Sequence, residues 1–123
     1  MKNVHVNRIV RITAGETVLT ATMNQSAAAN DFLSLLPLTM NLTDYAATEK
    51  ISDLPRPLNT AGAPAGYKPS VGDITYYAPW GNLAIFYKGF GYAGGLVPLG
   101  RIDEGIEALK RNGSITVKME LIS

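Results

Sequence analysis

The run Gly89-Phe90-Gly91-Tyr92-Ala93-Gly94 spells G-x-G-x-x-G directly after a stretch that reads as a strand. That spacing binds a dinucleotide only where a helix begins at the loop, so that its first amides meet the pyrophosphate. Here the chain continues into Leu96, Val97 and Pro98, and no acidic residue follows about 20 positions on, where a ribose partner would stand. The glycines are therefore read as a tightly bent connection. His5 is the only histidine, and one imidazole by itself makes neither a metal site nor a triad. Asp103, Glu104 and Glu107 supply carboxylates in close spacing. Their pattern suits a helix start, with Asp103 as cap, Glu104 and Glu107 in the first turn, and Arg111 four residues after Glu107. Asp73, beside Gly72, is read as a turn former.

Aromatic side chains are the stronger signal. Tyr76, Tyr77, Trp80, Phe86, Tyr87, Phe90 and Tyr92 are seven of the ten aromatic residues in the chain. In an extended strand over 82–88, Leu83, Ile85 and Tyr87 project to one face and Ala84 and Phe86 to the other. Burying one such ring is worth about 2–3 kcal/mol, which assigns Ile74, Ile85 and Phe86 to the core. Trp80, Phe90 and Tyr92 fall in turn and loop segments, where packing seldom needs them. With Tyr76 or Tyr77 they are the candidate lining of a concave site for an extended peptide or a small flat ligand.

The elements that must position these residues are short. Val4, Val6, Ile9, Val10 and Ile12, a turn at Ala14-Gly15-Glu16, and Thr17 to Met23 read as a β-hairpin. Ala28, Phe32, Leu35 and Leu36 then share one helical face, capped by Ser26 and stopped by Pro37. Leu38 to Thr43 alternates as a half-buried strand, and a weaker strand is read from Glu49 to Leu54. Residues 55–71 carry four of the seven prolines and form an irregular excursion. Strands follow at 72–78, 82–88 and 97–99. A second helix starts at Asp103, faces the core with Ile106 and Leu109, and ends at Asn112-Gly113. Ile115, Val117, Met119 and Leu121 alternate as a last strand.

At 123 residues, 46% apolar and 17% charged, the chain has the composition of one globular domain over residues 1–123. A net charge of +1 with scattered Lys and Arg gives no footprint for nucleic acid. No run approaches the ~20 apolar residues of a membrane span. The absence of cysteine excludes disulfides, thiol nucleophiles and Cys-based zinc sites. Cytoplasm is the default location, with a removed leader left open, and neither cofactor nor metal is expected. Many short strands with two helices point to a mainly β fold, a closed barrel or a sandwich.

Residues 97–111, VPLGRIDEGIEALKR, followed by ITVKMELI, resemble the closing segment of the cyclophilins, and GDITYYAPWGNLAIFYKG (72–89) is similar to the small bacterial cyclophilin-like domains. The resemblance implies a closed eight-stranded β-barrel capped by two short α-helices. It does not extend to the isomerase signature. No Phe-His-Arg or Phe-Met-x-Gln step occurs, and Leu96 and Gly91 stand where the family's His and Trp would be. Arg56, in Leu54-Pro55-Arg56-Pro57, is the one arginine placed to polarise a prolyl amide. A non-catalytic binding module for a peptide or small ligand is the leading reading. Its candidate residues are Tyr76, Tyr77, Trp80, Phe90, Tyr92 and Arg56. A divergent peptidyl-prolyl isomerase and an accessory domain of flavodoxin-type redox proteins are the alternatives.

Overall fold

A computed structural model describes residues 8–110 and 113–122. His5, Val4, Val6, Arg111 and Asn112 lie outside the described residues. The described residues form ten strands: β1 (Ile9–Ala14), β2 (Thr17–Met23), β3 (Leu38–Tyr45), β4 (Glu49–Asp53), β5 (Gly66–Tyr67), β6 (Asp73–Tyr77), β7 (Asn82–Phe86), β8 (Ala93–Gly94), β9 (Leu96–Ile102) and β10 (Ile115–Leu121). Eight of them close into a barrel in the order β1-β10-β3-β4-β7-β6-β9-β2, while β5 and β8 form a separate two-stranded ribbon. Every pairing is antiparallel. The closed order leaves no free barrel edge.

Alternation along each strand decides what enters the barrel. Val10 and Ile12, Leu19 and Ala21, Met40 and Leu42, Ile74 and Tyr76, Leu83 and Ile85, and Val117 and Met119 all belong to one buried cluster. Leu121, at the end of the alternating series, is exposed. Between β6 and β9 the register slips after Ile74, which pairs with Gly100 while Thr75 pairs with Pro98. The extra residue is a β-bulge, the place in a sheet where a proline is tolerated.

One α-helix, α1 (Ala27–Leu33), packs Ala28, Ala29 and Phe32 into the core, and the Ser26 hydroxyl accepts from the Ala29 amide at 3.1 Å. The second α-helix is not formed. In its place a single 3-10 turn spans Ile106–Leu109, and the residue before it is Gly105 in a left-handed conformation, φ 87°. Asp103 is not its cap. The Asp103 carboxylate accepts instead from the hydroxyls of Thr20 (3.0 Å) and Thr22 (2.8 Å), and its amide donates to the Thr20 carbonyl. Those bonds tie residue 103 to β2. One short turn is then enough to bury Ile106 and Leu109, where a regular helix would have to meet a nucleation cost over very few residues.

Candidate functional site

Two rows of side chains cross the outer face of the barrel. In the first, Tyr45 on β3 faces Glu49 on β4, and Glu49 faces Phe86 on β7. In the second, Asn82 on β7 faces Tyr77 on β6, and Tyr77 faces Leu96 on β9. Directly opposed residues point to the same side of a sheet, so each row is a contiguous strip. Ala84, Phe86 and Leu96 form a buried cluster distinct from the barrel interior, with Ile51, Tyr67, Tyr77 and Ala93 packed against it. Phe86 is therefore core, as its burial requires, but on the opposite side of the sheet from Ile74 and Ile85.

The connection from β6 to β7 brings Trp80 over these rows. The amides of Trp80 and Gly81 both donate to the Tyr77 carbonyl, at 3.2 and 2.9 Å, and the Ala78 amide donates to Gly95 at 3.0 Å. Gly95 has φ 82°, and a Cβ there would stand 2.8 Å from the Pro79 ring. Only glycine lets the turn lie this close to the start of β9. The Trp80 ring meets Tyr45 at a centroid distance of 5.4 Å and Tyr77 at 5.2 Å, with interplanar angles of 85° and 83°. Such edge-to-face contacts are the favoured geometry of aromatic pairs. Phe90 lies 6.3 Å from Phe86, tilted by 32°.

Together Tyr45, Glu49, Tyr77, Trp80, Asn82, Phe86, Phe90, Ala93 and Leu96 enclose a pocket of about 220 Å³. Tyr45, Trp80 and Phe90 are 44%, 56% and 49% exposed. Three large rings held half in water around one cavity contribute little to the core and leave apolar surface open to it. Glu49 is the only carboxylate on the lining, and no Lys or Arg lies there. Its carboxyl makes no hydrogen bond or ion pair among the described residues, and burial pushes it up to about 7. Asn82 is buried, and its Oδ1 has no hydrogen-bond partner among the described residues.

The other side of the same strands is already satisfied. Lys50, next to Glu49 but pointing inward, contacts Asp44 at 3.1 Å and donates to the Gly113 carbonyl at 2.7 Å. The Tyr87 hydroxyl donates to Asp44 at 2.7 Å, and burial together with that carboxylate raises the phenol to about 12. On the outer face, Asp73, also buried, accepts from Tyr67 (2.7 Å), the Ser70 amide (2.8 Å) and Arg101 (3.0 Å), a set that fixes the turn into β6. Among the described residues no three His, Cys, Asp or Glu side chains group closely enough to hold a metal ion, and no helix is long and apolar enough to cross a membrane.

The sequence matches the model of the Cyclophilin-like family over residues 12–120. The chain belongs to that family. Its fold is also that of a hypothetical protein from Archaeoglobus fulgidus, whose solution structure superposes with a TM-score of 0.72 at 15% identity, covering 99% of this chain and 100% of the other. No curated protein matches the chain.

Within this cyclophilin-like barrel the six residues singled out from sequence do not share one place. Tyr77, Trp80 and Phe90 line the pocket. Tyr76 does not, because it alternates with Tyr77 and enters the barrel interior, where it is 2% exposed. Its hydroxyl accepts from the Leu58 amide at 3.2 Å and so ties down the 55–71 excursion. Tyr92 is 65% exposed and off the lining, beside Gly66 of β5, where a Cβ would lie 2.5 Å from its hydroxyl. Arg56 is also outside the pocket. It grips Asp31 with both terminal nitrogens, at 2.9 and 2.8 Å, and Asp31 accepts from the Asn59 amide at 2.7 Å. The guanidinium and that amide hold the Asp31 carboxyl down at about 2. The glycine run 89–94 leads into β8, which pairs with β5, and no helix starts there.

Tyr45, Glu49 and Asn82 escaped the sequence reading. Tyr45 and Glu49 flank a β-turn, closed by the Thr48 amide on the Tyr45 carbonyl (3.1 Å), whose central residues Ala46 and Ala47 both have positive φ, 55° and 50°. That geometry normally announces itself through Asn or Gly. Alanine gives no such signal, so the hairpin that presents Tyr45 and Glu49 was silent.

Proposed function

We propose that this cyclophilin-like domain is a binding module that holds a compact organic ligand, or one side chain of a peptide, in the outer-face pocket. One observation carries the reading. Tyr45, Trp80 and Phe90 are kept about half exposed around a single cavity, over a floor of Phe86 and Leu96. At about 220 Å³ the pocket is smaller than the roughly 300 Å³ at which drug-sized sites begin. It suits a small molecule or a single side chain. The isomerase alternative gains nothing from Arg56, whose guanidinium is already held by Asp31 away from this pocket. The redox alternative gains nothing from a lining without a cation to meet a cofactor phosphate.

Trp80 is the chain's one tryptophan, so its fluorescence reports on the pocket directly. Titration with a panel of small neutral and charged aromatic and aliphatic compounds is expected to give saturable changes for some members. Phe90→Ala, read by Trp80 fluorescence, and Trp80→Ala, read by calorimetry because it removes the fluorophore, should abolish binding while leaving the far-UV circular dichroism spectrum unchanged. A panel that leaves Trp80 fluorescence and the pocket's methyl and amide resonances unmoved would remove the reading.

A further inference from the structure

Resting on that reading, we propose that the pocket selects a small organic ammonium cation, held against the rings of Tyr45, Tyr77 and Trp80 with Glu49 as its counter-charge. The one carboxylate of the lining and its ring faces both favour positive charge. Glu49 stands between Tyr45 and Phe86 in its cross-strand row, with an aromatic residue on each side and no donor among the described residues. A half-buried carboxylate in apolar surroundings is costly unless something pairs with it. Asn82 adds a buried carbonyl oxygen that likewise has no donor among the described residues. The rings act in the same sense, because an aromatic face carries partial negative charge, and tryptophan binds cations best.

Other ligand classes answer less of the geometry. An anion would meet a carboxylate and find no Lys or Arg on the lining. A neutral flat molecule would cover the rings but leave Glu49 uncompensated in a still drier site. The charged neighbours do not supply what is missing. Lys50 is turned into the barrel toward Asp44 and the Gly113 carbonyl, and the Tyr87 phenol is engaged by Asp44. Tyr45 and Tyr77 are the remaining titratable groups around the carboxylate, and both are ring walls of the pocket. A cation without hydrogen-bond donors of its own, such as a quaternary ammonium, needs only rings and a carboxylate.

The test is a titration of the full chain with choline and with its uncharged isostere 3,3-dimethylbutan-1-ol, read by Trp80 fluorescence and calorimetry at about pH 8. Choline is expected to bind at least about tenfold more tightly, the factor that roughly one aromatic–cation contact supplies. Glu49→Gln should reduce that preference several-fold, leaving the part the rings supply, and keep the isostere's affinity within about twofold. In the unmodified chain, choline affinity should fall as the pH is lowered through 7 and protons compete for Glu49, while the isostere's stays level. A trimethyllysine peptide carries the same headgroup. If it binds with or instead of choline the proposal stands, and the ratio tells a polypeptide source from a free one. Equal binding of choline and isostere, with Glu49→Gln neutral, overturns the charge assignment and leaves the binding reading intact. Response to neither choline nor the peptide also overturns it. The neutral members of the panel above then decide the binding reading separately.

Discussion

Glu49 should make this protein less stable as the pH rises from about 4.5 through about 7, and Glu49→Gln should abolish that effect. The carboxyl has its ordinary value of 4.5 in the unfolded chain and is pushed up to about 7 by burial in the folded one. Between those values the folded state binds more protons than the unfolded state. Stability attached to this group is therefore complete below about pH 4.5 and is lost as the pH rises through about 7, after which the deficit stays constant. One pKa unit corresponds to about 1.4 kcal/mol, so the full shift sets a ceiling of about 3 kcal/mol. Glu49 is only half-buried and water reaches the pocket, which brings the expected effect to about 1–2 kcal/mol. Glutamine keeps the shape without the charge. Thermal melts followed by circular dichroism should give nearly equal midpoints for the two proteins near pH 4, and a lead for Glu49→Gln of roughly 4–8 °C at about pH 8.5. A difference in midpoint that does not change with pH would refute the reasoning. So would a Glu49→Gln protein that melts lower than its parent at alkaline pH. A saturating ammonium ligand should narrow the gap from the other side by stabilising the parent more than Glu49→Gln.

Three further outcomes follow from the packing. Tyr76→Phe keeps the ring inside the barrel but strips the acceptor from the buried Leu58 amide. It should cost about 1–2 kcal/mol in urea unfolding and leave the outer pocket untouched, as read by Trp80 fluorescence. Ala47→Gly relieves a left-handed alanine at φ 50° in the turn between Tyr45 and Glu49; it should raise stability by about 1 kcal/mol in the same assay. The Asp31 clamp on Arg56 and Asn59 is in place above the ordinary carboxyl value of 3.8 and is lost as the pH falls through about 2. Hydrogen exchange of the Asn59 amide should accelerate over that window relative to core amides, and Arg56→Ala should produce the acceleration at neutral pH without affecting ligand binding.

Much of the barrel was legible because one-dimensional patterns decide it. Ile115, Val117 and Met119 alternate and all three face the interior. Ser26 caps α1 as its position suggested. The hairpin of β1 and β2 turns at Gly15, which has φ 63°. What escaped depends on competition between distant groups. Asp103 has the chemistry of a helix cap, yet two threonine hydroxyls on β2 offer it better partners than a turn that is barely helical. Arg56 lies in a proline-rich stretch with no local reason to be bound, and its partner is 25 residues away on α1.

The Tyr76-Tyr77 doublet shows how far a strand's pattern can place side chains around the pocket. Adjacent residues on a strand must point to opposite faces, so at most one of the two tyrosines could belong to any pocket. Ile74 settles which one, since it shares its face with Tyr76 and is itself fully buried. That places Tyr77 outside, and with it the site. The interior of this barrel is filled by its own side chains, and the aromatic-lined pocket is on the outer surface, under the β6–β7 turn. Such a site is assembled from residues that alternation leaves over: Glu49 beside the inward Lys50, Asn82 beside the inward Leu83, and Phe86 between the inward Ile85 and Tyr87. Alternation reads as core against solvent, and it has no third symbol for an outward residue that is covered by a loop. The half-exposed rings and the uncompensated carboxylate appear only when the strands are set side by side, and together they give this face its chemistry.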